Sequence, residues 1–195
     1  MPANLTPPED LLAVFGGFPE KQAHALLETW ALAVDSLPGA EQCIAWNMPS
    51  LRIDGELVLS MLGFQGHNSV FPGPGVIEAL GEKLADFTIT KGTIHFDRDK
   101  PMKASVVKAI IAARIDEING SFPRPNGQLK EFYSNGWLKA TGKMKSGQMH
   151  GAWEWFRRDG TIKRSGRFKD GQQVGTWITY DATGETYKVT EFGRS

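Results

Sequence analysis

Residues Ile44–Gly73 read IAWNMPSLRIDGELVLSMLGFQGHNSVFPG. Two apolar-rich runs, Pro49–Ile53 and Glu56–Leu62, are joined by Asp54-Gly55, the dipeptide that most readily takes the positive φ angles of a tight type I′ turn. A third extended run, Asn68–Phe71, follows the glycine-bearing link Gly63–Gly66. Three successive antiparallel strands predict the centre of a sheet on which flanking helices pack. Ahead of them, Cys43–Trp46 is expected as a short strand entering a corner at Asn47, Met48 and Pro49. Proline has no N–H to give to a ladder, so it belongs at a strand edge or start.

Working outward, Thr6–Asp10 is placed to cap a short helix over Leu11–Phe15 that Gly16 and Gly17 stop. Pro19 opens a longer helix in which Ala23, Leu26, Leu27, Trp30, Ala31, Val34 and Leu37 recur at spacings of three and four, and Pro38-Gly39 ends it. Val76–Phe87 has helical spacing again. Thr88–Phe96 reads as a β-branched strand bent at Gly92. A last helix is expected from Lys100-Pro101, with Val106, Val107, Ile110, Ile111 and Ile118 along one side. The order predicts an α+β fold over residues 1–120, with helices against a mainly antiparallel sheet.

The chain has 195 residues and ordinary apolar content, enough for two modules with cores of their own. No apolar run approaches the ~18 residues of a membrane span, and MPANLTPPED lacks the basic-then-apolar order of a signal peptide. The lone Cys43 fits a reducing compartment, so a cytoplasmic protein is expected. Lys+Arg and Asp+Glu are equal at 22 each but unevenly spread: residues 1–120 hold 9 basic against 15 acidic, a net of −6, and residues 121–195 hold 13 against 7, a net of +6.

From Gly127 the chain repeats. Gly127, Gly151 and Gly175 are 24 apart, as are Gly136, Gly160 and Gly184, with Leu129, Trp153 and Trp177 as a third row. The Asn/Asp-Gly at the middle of each unit predicts a hairpin, and stacked hairpins share an aromatic core, giving an all-β array over residues 127–195. Strict alternation along the second strand of each unit would put Lys139, Lys143, Lys145, Lys163, Arg167 and Lys169 on one basic face. That face suits phosphate groups or an acidic protein, or else a solvated surface that discourages edge-to-edge aggregation. Trp153, Trp155, Phe156 and Trp177 are better placed as repeat core than as base-stacking groups, so nucleic acid is not the expected partner.

Two resemblances arise from these residues. Phe18-Pro19, Leu37–Glu41, Trp46–Pro49, His67, Gly92–Phe96, Lys100-Pro101 and Arg114 follow one order and together resemble the YdhG-like family, a bacterial domain of largely unknown function. The resemblance covers roughly residues 9–118. One branch of that family is described as an intracellular iron chaperone, which implies iron as a ligand. The acids Glu9, Asp10, Glu20, Glu28, Asp35 and Glu41 are scattered, however, and form no dense carboxylate ridge. The array from 127 to 186 resembles the MORN-variant repeats of YwqK-type proteins, labelled antitoxins mostly by association, which implies an interaction scaffold.

No nucleophile elbow, Walker loop, H-E-x-x-H or cysteine pair is present, so an enzyme is not expected. His24 is expected buried or half-buried beside the helix stripe, and His150 to play no special part. His67 and His95 lie on or beside strands. With Trp46, Asn47, Met48, Lys91 and Arg114 they are the candidate contacts for a small ligand or metal ion, because polar and aromatic residues at strand ends are where pockets form. The alternative is a scaffold acting on a protein partner through the repeats, with no small-ligand site.

Overall fold

The computed structural model describes residues 8–193; Thr6, expected to cap the first helix, lies outside them. The chain forms two compact units, Met1–Glu117 and Ile118–Ser195. In the first, α1 (Glu9–Gly16) and α2 (Glu20–Ser36) precede β1 (Glu41–Ala45), β2 (Met48–Ile53), β3 (Glu56–Gly63) and β4 (Asn68–Phe71). Then come α3 (Pro74–Leu80), a 3-10 turn (Gly81–Leu84), β5 (Thr88–Thr90), β6 (Thr93–Phe96) and α4 (Ala104–Gly120). The six strands form one antiparallel sheet in the order β1-β2-β3-β4-β6-β5.

The quoted stretch folds as its turn chemistry dictates. Asp54 and Gly55 take φ of 44° and 84°, so Ile53 faces Glu56 across the expected tight turn. The β1–β2 corner is a second turn of this kind, with Trp46 and Asn47 at φ 49° and 61°. Pro49 pairs only with Ile44 of β1, and the ladder to β3 starts one residue later at Ser50, so the missing N–H costs no sheet bond there.

Elsewhere local geometry departs from the sequence pattern. The helix expected over Val76–Phe87 stops at Leu80, because Gly81 turns to φ 46° and only a 3-10 turn follows. The single bent strand 88–96 is a hairpin, with Thr90 opposite Thr93 and the turn at Lys91-Gly92. The last helix starts at Ala104, four residues past Lys100, and its buried row adds Ile115. The α2 stripe is rotated from the apolar one. Ala31 is exposed, whereas Gln22 and Thr29 are buried with Ala25, Leu26, Trp30, Ala33 and Val34. His24 is exposed beside Glu28 at 3.3 Å, not buried. Thr29, Ala33, Leu59, Met61, Val70, Val107 and Ile110 surround a void of about 10 Å³, so α2 and α4 close on the β3–β4 face without leaving ligand-sized space.

The second unit is a meander of β7 (Gln128–Phe132), β8 (Leu138–Lys145), β9 (Gln148–Phe156), β10 (Ile162–Lys169), β11 (Gln172–Tyr180) and β12 (Thr186–Phe192), each paired antiparallel with the next. Gly142 and Gly166 are 24 apart, and each receives an indole. A Cβ there would lie 2.2 Å from Cδ2 of Trp153 or of Trp177, so no other residue fits. Between successive repeats the carbonyls of Phe156 and Tyr180 accept from Tyr133 Oη and Arg157 Nη2, two donors that are themselves 24 residues apart.

Register shifts interrupt each second strand. Leu138 pairs with Phe132 but Ala140 with Glu131, and Ile162 pairs with Phe156 but Arg164 with Trp155. The extra residues are Lys139 and Lys163. A bulge breaks the alternation on which the six-cation face depends. Those two lysines join the aromatic side, and Lys143, Lys145, Arg167 and Lys169 keep the other. That face is therefore corrected to four cations.

Candidate functional site

In the first unit the chemistry collects where β4 begins and β6 ends. Ser69 pairs with His95, which places His67, two residues earlier on β4's lead-in, against the same imidazole. The two rings stack with centroids 4.1 Å apart and planes 8° from parallel, and Phe64 stacks on His67 at 5.2 Å. Both histidines are half-buried. Burial, and then the neighbouring His67, hold His95 below the ordinary histidine pKa, which favours the neutral imidazole. No hydrogen bond or ion pair joins either imidazole to another described residue.

Buried polar groups explain why the loops around this pair sit where they do. Asn68 is fully buried; its amide donates to the carbonyls of Asp97 at 3.1 Å and Arg98 at 2.9 Å. Its Oδ1 accepts from Gln22 Nε2, which also donates to the Phe64 carbonyl. Asn68 thus ties the start of β4, next to His67, to the segment after β6, and Gln22 of α2 holds Asn68 and the β3–β4 link. Further along α2, Thr29 Oγ1 accepts from the Met102 amide at 3.0 Å and donates to the Ala25 carbonyl. This accounts for the rotated stripe of α2: its polar residues are buried because they hold loops. Ser69 Oγ, buried across from His95, has no hydrogen-bond partner among the described residues.

These anchors leave an open groove of about 690 Å³ lined by His67, His95, Lys83, Asp86, Asp97, Lys100 and Lys103, among others. Three lysines against two aspartates make it mildly cationic before either imidazole is counted. Of the residues singled out in the sequence, the structure brings His67 and His95 together. It places Trp46, Asn47 and Met48 in and beside the β1–β2 turn, on strands separated from β4 by β3, with the Trp46 side chain 72% exposed. Lys91 lies at the β5–β6 turn, the opposite end of β6 from Phe96. Arg114 is a clamp: Nε and Nη2 donate to the Leu57 carbonyl at 3.1 and 2.9 Å, and Nη1 pairs with Glu117 at 2.5 Å. Leu57 flanks the register shift in β3, so the guanidinium satisfies a carbonyl beside a bulge. Lys83 and Lys103 belong to no motif, Lys100 enters the sequence reading only through Lys100-Pro101, and only the tertiary fold brings the three to one groove.

Among the described residues no three His, Cys, Asp or Glu side chains come together as metal donors. Rings stacked in near-parallel planes send their lone pairs along separate planes, whereas a bound ion needs donors aimed at one point roughly 2 Å from each.

The second unit has its own concavity, about 360 Å³, lined by Trp155, Phe168, Trp177, Tyr133, Met149, Lys139, Lys163 and Arg164 among others. Trp155 stacks between Trp153 and Trp177 at 5.6 and 5.7 Å, and Phe168 meets all three edge-on. The Arg164 guanidinium lies 4.5 Å from the Trp177 ring centre. The repeats differ here: Trp153 Nε1 donates to the Lys143 carbonyl at 3.2 Å, whereas buried Trp177 Nε1 and Arg164 Nε have no acceptor among the described residues.

Comparison with known proteins agrees with this division. The MORN repeat variant family matches residues 125–146, the first hairpin of the array. A crystal structure of a Bacillus subtilis protein of the DUF1801 family, YdhG, is similar at 16% identity and TM-score 0.52, covering 56% of this chain and 92% of that one. At that identity the likeness shows the fold. No curated protein matches. The chain therefore joins a DUF1801-like α+β unit to MORN-variant repeats. Among the described residues no helix is long and apolar enough to cross a membrane.

Proposed function

We propose that this is a non-enzymatic binding protein whose first unit holds a small organic ligand, bearing an anionic group, in the groove beside His67 and His95. The observation that carries the reading is the stacked imidazole pair, with no hydrogen-bond partner of its own, opening on a groove rimmed by Lys83, Lys100 and Lys103. A stack of Phe64, His67 and His95 offers a flat surface and ring nitrogens; the lysines offer charge to a carboxylate or phosphate. No hydroxyl, thiol or carboxylate is positioned by a hydrogen bond to either imidazole, so the nucleophile–base–orienter arrangement of an acyl-transfer site is missing among the described residues. The donor geometry speaks for an organic ligand over iron, which the family resemblance had suggested.

Thermal-shift screening of the full chain against phosphorylated and carboxylated metabolites, with Fe(II) and Zn(II) as separate arms, tests this. A small anion that raises the melting temperature of the wild type, and does so far less for Lys103→Ala and His67→Ala, is the expected result. Stabilisation by a metal alone, or by no compound, overturns the reading.

A further inference from the structure

We infer that the aromatic groove of the repeat unit is a docking site for an extended acidic peptide segment of a partner protein, with an apolar side chain of that segment seated on Trp155. The argument begins with charge. The groove is lined by Lys139, Lys163 and Arg164 and by no Asp or Glu. Lys139 pairs with Glu131 at 2.5 Å, but Lys163 and Arg164 have no hydrogen bond or ion pair among the described residues. Arg164 is held against the face of Trp177 and its Nε–H is buried without an acceptor. A half-buried cation packed on an aromatic ring is screened less than one in bulk solvent and so attracts a carboxylate more strongly.

Shape and period point the same way. Trp155 is half-exposed between two buried indoles, with Phe168 and Met149 beside it, a floor that accepts one apolar side chain. The bulges that bring Lys139 and Lys163 to this side recur at the repeat step, on β8 and β10, which are separated by β9 alone. Strands two apart are about 10 Å apart. An extended chain in the polyproline II conformation has three residues per turn and advances about 3.1 Å per residue, so acidic residues three positions apart lie on one side at about that interval. A repeating cationic rim thus fits a repeating polyanion better than a compact small molecule. Diffuse attraction is not enough for this site, because Lys143, Lys145, Arg167 and Lys169 offer charge on the other face without an aromatic floor.

The test measures fluorescence polarisation of labelled peptide DDFEDD with the full chain in about 0.15 M salt, where long-range attraction is screened. Lys163→Glu is expected to weaken binding about tenfold or more, and Lys145→Glu, on the other face, less than about twofold. Peptide DDAEDD should bind several-fold more weakly than DDFEDD, Trp155→Ala should lose that difference and Trp155→Phe should keep it. Circular dichroism of each variant establishes that it is folded. Equal losses for Lys163→Glu and Lys145→Glu overturn the site. So do absence of DDFEDD binding, and preference for phosphatidylserine vesicles or a single-stranded oligonucleotide over the peptide.

Discussion

Both units contain a six-stranded antiparallel sheet, yet one is tied together by side-chain contacts far apart in sequence and the other by neighbours. The hydrogen bonds that shape the first groove join Gln22 to Asn68, Asn68 to Asp97 and Arg98, and Thr29 to Met102. Those of the second join residues a strand or one repeat apart, such as Tyr133 to Phe156 and Arg157 to Tyr180. In the first unit a single buried amide fixes a site. In the second the same contact is copied, so each copy carries a share. Damage should therefore be concentrated in one case and divided in the other.

Asn68→Ala should have the largest effect. It removes three bonds at once, leaving Gln22 with only the Phe64 carbonyl and two part-buried carbonyls without their donor, at a cost on the order of 3 kcal/mol. Chemical denaturation measures it; a loss below about 1 kcal/mol would show that water replaces the amide and that the groove is not pinned there. Gly166→Ala comes next, at about 2–3 kcal/mol, since the new methyl would meet the indole of Trp177 and the sheet must shift to admit it. Gly142→Ala probes the same contact one repeat earlier, so similar losses for the two would support equal copies and unequal ones would sharpen the comparison.

Smaller still is Tyr133→Phe, which deletes one half-buried hydrogen bond between repeats and should cost about 1 kcal/mol by the same denaturation assay. The smallest effect concerns pH. His95 titrates below 6.5 in the folded protein and near its ordinary value when unfolded. As pH falls below 6.5 the unfolded chain takes up the proton first, so stability declines until the lowered folded pKa is passed and then levels off. His95→Asn should flatten that part of the stability profile, and an NMR titration of His95 in the wild type should place its midpoint below 6.5. A midpoint at or above 6.5 would mean that the stacked pair is more open to water than its geometry shows.

The sequence by itself determined the features that depend on a residue and its near neighbours. Asp54-Gly55 set a tight turn because both positions need positive φ, and the 24-residue step of glycines and aromatics set the meander, since a repeated local instruction yields a repeated local structure. Resemblance between short motifs and the YdhG-like family also pointed to the fold that the structural neighbour shares. The helix break at Gly81 and the burial of Gln22 and Thr29 were not legible. Spacing of apolar residues says nothing about a polar side chain that will be buried to hold a loop. The bulges at Lys139 and Lys163 escaped for a related reason: alternation assumes an unbroken ladder, and the extra residue is fixed by pairing with the neighbouring strand. Only the tertiary structure decided which candidates share a site. His67 and His95 stack because β4 and β6 are neighbours, while Arg114 spends its donors on the Leu57 carbonyl and Lys91 sits at the far end of β6. Strand order and long-range hydrogen bonds govern that outcome, and both join residues whose separation along the chain carries no local signal.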